Sequence, residues 1–189
     1  MEGRMDAYAR FRPESSTVPA SGPVAIRILP EVARFCLRIA PADLGVASEA
    51  FGVALPGRIG EIAAFGSRRA LCLGPDEWLL HAEEEEAHVI EAAFAERYAA
   101  TPHSLVAIGD REIGISLEGE EAATLLSTGC PIDLERLAPG TGKRTIFDSV
   151  SVVLIREEKD RFTLEAWRSF MPHVLGLLET ANRELAAGL

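Results

Sequence analysis

Ala70-Leu71-Cys72-Leu73-Gly74-Pro75-Asp76-Glu77-Trp78-Leu79-Leu80-His81 is the stretch whose reading decides the fold. Two apolar runs, Ala70 to Leu73 and Trp78 to His81, flank Gly74-Pro75-Asp76-Glu77, where proline presets a turn dihedral and glycine tolerates tight geometry. The pattern predicts a β-hairpin. A hairpin alone is marginal in water and needs a cover on its apolar face. The next segment supplies one: Ala87, Ile90, Phe94 and Tyr98 recur at intervals of three or four, the spacing of a helix face. Glu83 to Glu86 place negative charge where the helix dipole is positive. Upstream, Phe35, Leu37 and Ile39 alternate with Arg34, Cys36 and Arg38, the period of a strand with one buried side. A short helix is expected around Asp43 to Phe51.

The second half runs in the same order. Leu105 to Ile108 and Ile113 to Leu117 flank a Gly109-Asp110 turn, and a short helix is expected from Gly119 to Ser127, stopped by Gly129 and Pro131. Val150 to Ile155 and Phe162 to Ala166 predict a second hairpin around Glu157 to Asp160. A helix from Phe170 to Leu185 follows, with Ser169 as its N-cap, Pro172 in its tolerant first turn, and an apolar series of Phe170, Val174, Leu177, Leu178, Ala181 and Leu185. Strand, strand, short helix, hairpin, long helix therefore occurs twice. The fold class is α+β: pseudo-duplicated antiparallel sheet units with helices packed on one face. The expected boundaries are a tail or interface arm over 1–23, rich in Pro, Ser and Gly, a first half over 24–100 and a second over 101–189, together one domain.

Composition narrows the function. Acidic residues number 29 against 19 basic ones, a net charge of −10 that would repel nucleic acid or an anionic bilayer. No apolar run is long enough to span a membrane, and Met1 to Arg12 is too charged for a secretion signal, so a soluble, cytoplasmic protein is expected. Cys36, Cys72 and Cys130 lie far apart and read as reduced, mostly buried thiols rather than a disulfide framework.

A search for chemistry returns structural readings. Gly140-Thr141-Gly142-Lys143-Arg144-Thr145 suggests a phosphate loop, but Leu137 stands at the first glycine of that pattern and Arg144 at its metal-binding hydroxyl. A turn leading into a strand is the better reading. Cys130 has no positive neighbour to lower its pKa. His81, His88, His103 and His173 lack the spacing of a helical metal pair. The carboxylates of Glu83 to Glu86 point in different directions along a helix, and Asp76 and Glu77 are explained by turn formation. No nucleophile elbow, dinucleotide glycine fingerprint or H-E-x-x-H occurs. No catalytic, cofactor-binding or metal-ligating residue is assigned.

One junction carries more than folding requires. Phe162, Leu164 and Ala166 share one strand face, which leaves Trp167 with Glu165 and Thr163 on the other, and Arg168 follows. Tryptophan and arginine at a semi-exposed position are the residue types enriched in interface hot spots, so Trp167 and Arg168 are candidate interface residues. The alternative has Trp167 covered by the amino-terminal segment and Arg168 in a surface ion pair.

Leu73-Gly74-Pro75-Asp76-Glu77-Trp78-Leu79-Leu80 resembles the signature of sarcosine oxidase gamma subunits. Further landmarks follow in the family's order: Thr128-Gly129-Cys130-Pro131-Ile132-Asp133-Leu134, Asp160-Arg161-Phe162 and Trp167-Arg168-Ser169-Phe170. The resemblance runs from about residue 70 to the carboxyl terminus. It implies an accessory gamma subunit of a heterotetramer, partnered by alpha, beta and delta subunits, that demethylates sarcosine to glycine with tetrahydrofolate and oxygen. It further implies FAD, FMN, NAD and tetrahydrofolate on the partner subunits, and a fold similar to folate-binding aminomethyltransferase domains. It carries no catalytic residue onto this chain. Fold analogy leaves two other readings, a stand-alone folate-binding aminomethyltransferase-like module and a small-molecule binding module.

Overall fold

The computed structural model describes residues 22–189. It divides into two units: residues 31–109 with 141–143, and residues 22–30, 110–140 and 144–189. Each unit is built on a five-stranded sheet.

The first strand of the chain, β1 (Ala25–Ile28), belongs to the other unit, and the sheet of residues 31–109 is assembled from β2 (Ala33–Ile39), β3 (Ile62–Phe65), β4 (Arg68–Gly74), β5 (Glu77–Ala82) and β6 (His103–Ala107). Their order is β3-β4-β5-β2-β6, with antiparallel pairing throughout. The decisive hairpin is β4 and β5, closed by Gly74↔Glu77. Cys72 pairs with Trp78, so two residues, Leu73 and Gly74, stand against Glu77 alone and form a bulge. The bulge keeps Ala70 and Cys72 on the same face as Trp78, Leu80 and Ala82. Phe35, Leu37 and Ile39 extend that face across β2. Helices α1 (Leu44–Phe51) and α2 (Ala87–Arg97) cover it with Ala47, Ala50, Phe51, Ile90 and Phe94. Trp78 donates its indole N–H to the Pro56 carbonyl at 2.8 Å, which satisfies the one polar atom of a buried ring.

The other unit contains β1 (Ala25–Ile28), β7 (Glu112–Glu118), β8 (Thr141–Phe147), β9 (Val150–Glu158) and β10 (Arg161–Trp167) in the order β1-β7-β10-β9-β8. The first three residues of β8 group with the other unit, where Thr141 bridges Glu61. Side chains in register form one apolar face: Ile26 and Phe162 flank Leu117, Ile28 and Leu164 flank Ile115, and Ala166 lies between Ile113 and Val152. Helices α3 (Ala122–Ser127) and α4 (Met171–Ala187) close over it with Leu125, Leu126, Met171, Val174, Leu175 and Leu178.

The duplication is visible in the sheet orders. Reading β3-β4-β5-β2-β6 beside β8-β9-β10-β7-β1 matches meander with meander, first strand with first strand and edge with edge. The expected pattern of antiparallel sheets with helices on one face is present in both units.

Several boundaries need correction. Halves at 24–100 and 101–189 do not describe the units, because β1 pairs with β7 and β6 pairs with β2. Leu105–Ile108 and Ile113–Leu117 flank Gly109-Asp110 in sequence, but their strands belong to different sheets. The arm expected over 1–23 lies outside the described residues except for Gly22 and Pro23. Tyr98 ends α2 as an exposed residue and is not on the buried face. Glu84–Glu86 form a separate 3-10 turn before α2. Ser169 is not the cap of α4: the N-cap position falls on Phe170, with no side-chain capping bond. Phe170 and Leu177 are exposed, and the buried face of α4 is Met171, Val174, Leu175, Leu178 and Ala181. β1 and β3 were not expected.

Candidate interaction surface

Trp167 is the last residue of β10, paired with Glu112 of β7. Its strand neighbours Thr163 and Glu165 are buried in the middle of that face, whereas Trp167 at the end of the strand remains 45% exposed. The chain then turns through a Phe170 N–H to Trp167 carbonyl bond of 2.9 Å. This turn brings the Phe170 ring to 6.1 Å from the Trp167 ring, and Phe170 is also 45% exposed. From the turn that enters the neighbouring strand β7, the Arg111 guanidinium stacks over the indole at 4.8 Å, a cation–π geometry that holds the ring in place. The Arg111 side chain also reaches Glu112 at 3.4 Å.

Arg168 has a different role from Trp167. Its Nε donates to the Asp110 carbonyl at 2.9 Å and its backbone N–H to the Arg111 carbonyl at 2.7 Å. The side chain thereby fixes the corner on which Arg111 stands. The surface that emerges is Arg111, Trp167 and Phe170, with Arg168 positioning it. Arg111 and Phe170 were missed in the sequence. The Trp167↔Glu112 register that brings Arg111 close is not a local signal, and the spacing of Phe170 fits a buried helix position equally well.

The signature residues build a corner of the first sheet. Gly74 is buried at the bulge and Pro75 is exposed in the turn, and the Asp76 carbonyl accepts the Ile39 N–H at 3.1 Å. The Arg38 guanidinium spans both acids, reaching Asp76 at 3.0 Å and Glu77 at 3.2 Å. Leu79 and Leu80 are buried with Trp78, and Leu73 is half-buried. Glycine-loop geometry is absent at Thr141 to Thr145, which is extended strand, with the left-handed turn at Gly140. Cys130 is buried, and burial pushes the Cys72 thiol above its ordinary pKa. Among the described residues no three His, Cys, Asp or Glu side chains converge as metal ligands. Nor is any described helix long and apolar enough to cross a membrane.

A groove of about 530 Å³ lies between α2 and β6, lined by Glu91, Phe94, Ala95, Tyr98, His103, Ser104 and Leu105. These residues do not fit a flavin, a dinucleotide or a folate tail. No lysine or arginine lines the groove, and Glu91 would repel a pyrophosphate or a glutamyl carboxylate.

Taken with its pseudo-duplicated sheets, the chain has the fold of the aminomethyltransferase class. The glycine cleavage system aminomethyltransferase T of Bartonella henselae superposes with a TM-score of 0.64 over 90% of this chain and 52% of that one, at 14% identity. No family model matches the sequence. A curated relative, the sarcosine oxidase subunit gamma of Corynebacterium sp. strain U-96, is 30% identical over 181 residues, covering 92% of this chain and 86% of the relative. A chain of the heterotetrameric sarcosine oxidase of Corynebacterium sp. U-96, solved in complex with pyrrole 2-carboxylate, superposes with a TM-score of 0.78 at 28% identity, over 90% of this chain and 89% of that one. The chain belongs to the family of sarcosine oxidase gamma subunits.

Proposed function

We propose that this chain is the accessory gamma subunit of a cytoplasmic, four-subunit sarcosine oxidase, assembled with alpha, beta and delta partners. The complex converts sarcosine to glycine, passes the one-carbon unit to tetrahydrofolate and reduces oxygen to peroxide. FAD, FMN, NAD and tetrahydrofolate sit on the partners, and this subunit contributes surface and not chemistry. The observation that carries the reading is relatedness over nearly the whole length of both chains, 92% of one and 86% of the other. The exposed Arg111–Trp167–Phe170 cluster supports an interface role, because two half-exposed aromatics stacked with an arginine match hot-spot composition.

The test is affinity purification of the tagged chain from its native host. Three companion chains and sarcosine-dependent peroxide production in the purified assembly are expected. The isolated chain is expected to be colourless and inactive. Stoichiometric flavin in the pure chain, or saturable micromolar folate binding to it, would replace the accessory reading with the folate-binding module.

A further inference from the structure

We propose that the free edge of β6 docks an extended segment of a companion subunit as a sixth strand, with alternate apolar side chains in the groove against α2 and a lysine or arginine opposite Glu91. The inference rests on the assembly reading above and names the surface used.

The hydrogen-bond phase of β6 shows which groups are on offer. Ile108 donates its N–H to the Arg34 carbonyl at 2.8 Å, so the Arg34 and Ile108 positions form a hydrogen-bonded pair. Such pairs alternate along an antiparallel ladder. Cys36↔Val106 and Arg38↔Ser104 are therefore the bonded pairs, and His103, Leu105 and Ala107 turn their N–H and C=O groups away from β2. Among the described residues no strand pairs with β6 on that side.

Natural edges are blunted by charge, proline or cover. Arg27 lies on edge strand β1, Lys143 and Arg144 lie on β8, and the start of β3 is met by the Glu61–Thr141 bridge. β6 reads His-Ser-Leu-Val-Ala, with Val106 50% exposed. Within the strand itself there is no lysine, arginine, carboxylate or proline, and among the described residues no strand covers its outer edge.

The groove lies on the side of the edge to which Leu105 and His103 point. His103 stacks edge-on with Phe94 at 5.3 Å and with Tyr98 at 5.5 Å, forming an aromatic wall. An added strand presents every second side chain to this wall, which is how strand addition combines main-chain affinity with side-chain selectivity. Charge selects the occupant. Glu91 is the ionisable acid of the lining, and its partner is His88 at 3.7 Å, an exposed ring charged only when protonated. Glu83, Glu84 and Glu85 add acid in the turn before α2, while Glu86 is paired with Arg68 at 2.7 Å. A second copy would bring another net charge of −10, whereas a basic strand is attracted.

Hydrogen exchange read at single amides, in the free chain and in the assembly purified from the native host, tests the proposal. The Leu105 and Ala107 amides should slow by about tenfold or more in the assembly, while Ser104 and Val106, already bonded to β2, change less. Ala107→Pro removes an outward N–H and no bond to β2, and should weaken association by about tenfold or more at an unchanged melting temperature. Should that variant melt early, Glu91→Lys, at an exposed helix position, is expected to weaken association with the fold intact. An assembly in which Leu105 and Ala107 exchange as in the free chain overturns the docked edge and leaves the subunit role standing. Failure to recover any assembly overturns both. Concentration-dependent protection in the pure chain assigns the edge to a second copy and overturns the companion strand.

Discussion

Asn182 is a buried polar side chain on α4 whose two functions are both used. Its Nδ2 donates to the Val24 carbonyl at 2.9 Å, and its Oδ1 accepts the Val24 N–H at 3.1 Å. Gly22 precedes this contact, and a Cβ there would collide with the Asn182 carbonyl. Asn182→Leu leaves both Val24 groups buried and unpaired, at about 1–3 kcal/mol each. A fall in unfolding free energy of about 2–4 kcal/mol is expected from denaturant titration, and a loss under half a unit would mean that water replaces the amide. Asp148 gives a pH-dependent counterpart. It occupies the left-handed region at φ 53°, and its carboxylate meets the His173 ring at 3.0 Å and the Ser149 hydroxyl at 3.0 Å. The His173 bond first, then the Ser149 bond, hold its carboxyl below the ordinary aspartate range. A lowered folded-state pKa means that this contribution is fully present above the unfolded value and is lost as pH falls through the folded one. Asp148→Asn keeps a side chain that tolerates this backbone. The melting temperatures of the two proteins should therefore differ at neutral pH and converge in acid.

At the scale of elements, side chains tie together pieces that have no strand or helix contact of their own. Arg156 on β9 donates Nη1 to the carbonyls of Leu134 at 3.1 Å and Leu137 at 2.9 Å, donates Nη2 to Lys159 at 2.7 Å, and lies 5.3 Å over the Phe162 ring. It is the clamp for the irregular stretch between α3 and β8. Arg156→Met keeps the stem and removes the fork. A loss of about 2–3 kcal/mol and new protease cleavage between residues 131 and 140 are the expected outcomes. Phe94 closes the hairpin of β4 and β5 from α2, and Phe94→Ala should cost about 3–5 kcal/mol in chemical denaturation. The legible parts of the fold were those with local causes: both hairpins, α1, α2 and α4, and the alternation of β2. β1 and β3 were not legible, being four residues each, too short for periodicity to separate them from loop. The pairing of β1 with β7 and of β6 with β2 is set by core formation between distant segments, so turn residues at Gly109-Asp110 could not reveal it. Ser169 failed as a cap because the turn from β10 already satisfies the start of α4 with backbone bonds.

For the whole molecule, the question is how a chain with a net charge of −10 holds its partners. Sequence reading singled out Trp167 from strand alternation and residue type and paired it with Arg168, but the geometry separates their tasks. Arg168 is engaged with the Asp110 carbonyl, so truncating it disturbs the corner under Arg111. Arg111 and Trp167 present their contact outward, with the guanidinium 4.8 Å from a half-exposed indole. Trp167→Ala removes the buried half of the indole from the free chain, so a modest fall in melting temperature is expected. Association with the companion subunits should weaken by about 2 kcal/mol or more if the indole is a hot spot, since such residues act in desolvated pockets of the partner. Arg111→Ala should weaken it less and in a salt-dependent way, because the ring loses its support while its area remains. Arg168→Ala should lose affinity only in step with its fall in melting temperature, whereas Trp167→Ala should lose more affinity than its fall in melting temperature accounts for, which separates a positioning residue from a contacting one. Affinity measured beside the thermal midpoint for all three variants decides between these roles. Full affinity in Trp167→Ala would remove this surface from the assembly and leave the edge of β6 as the remaining candidate for the contact.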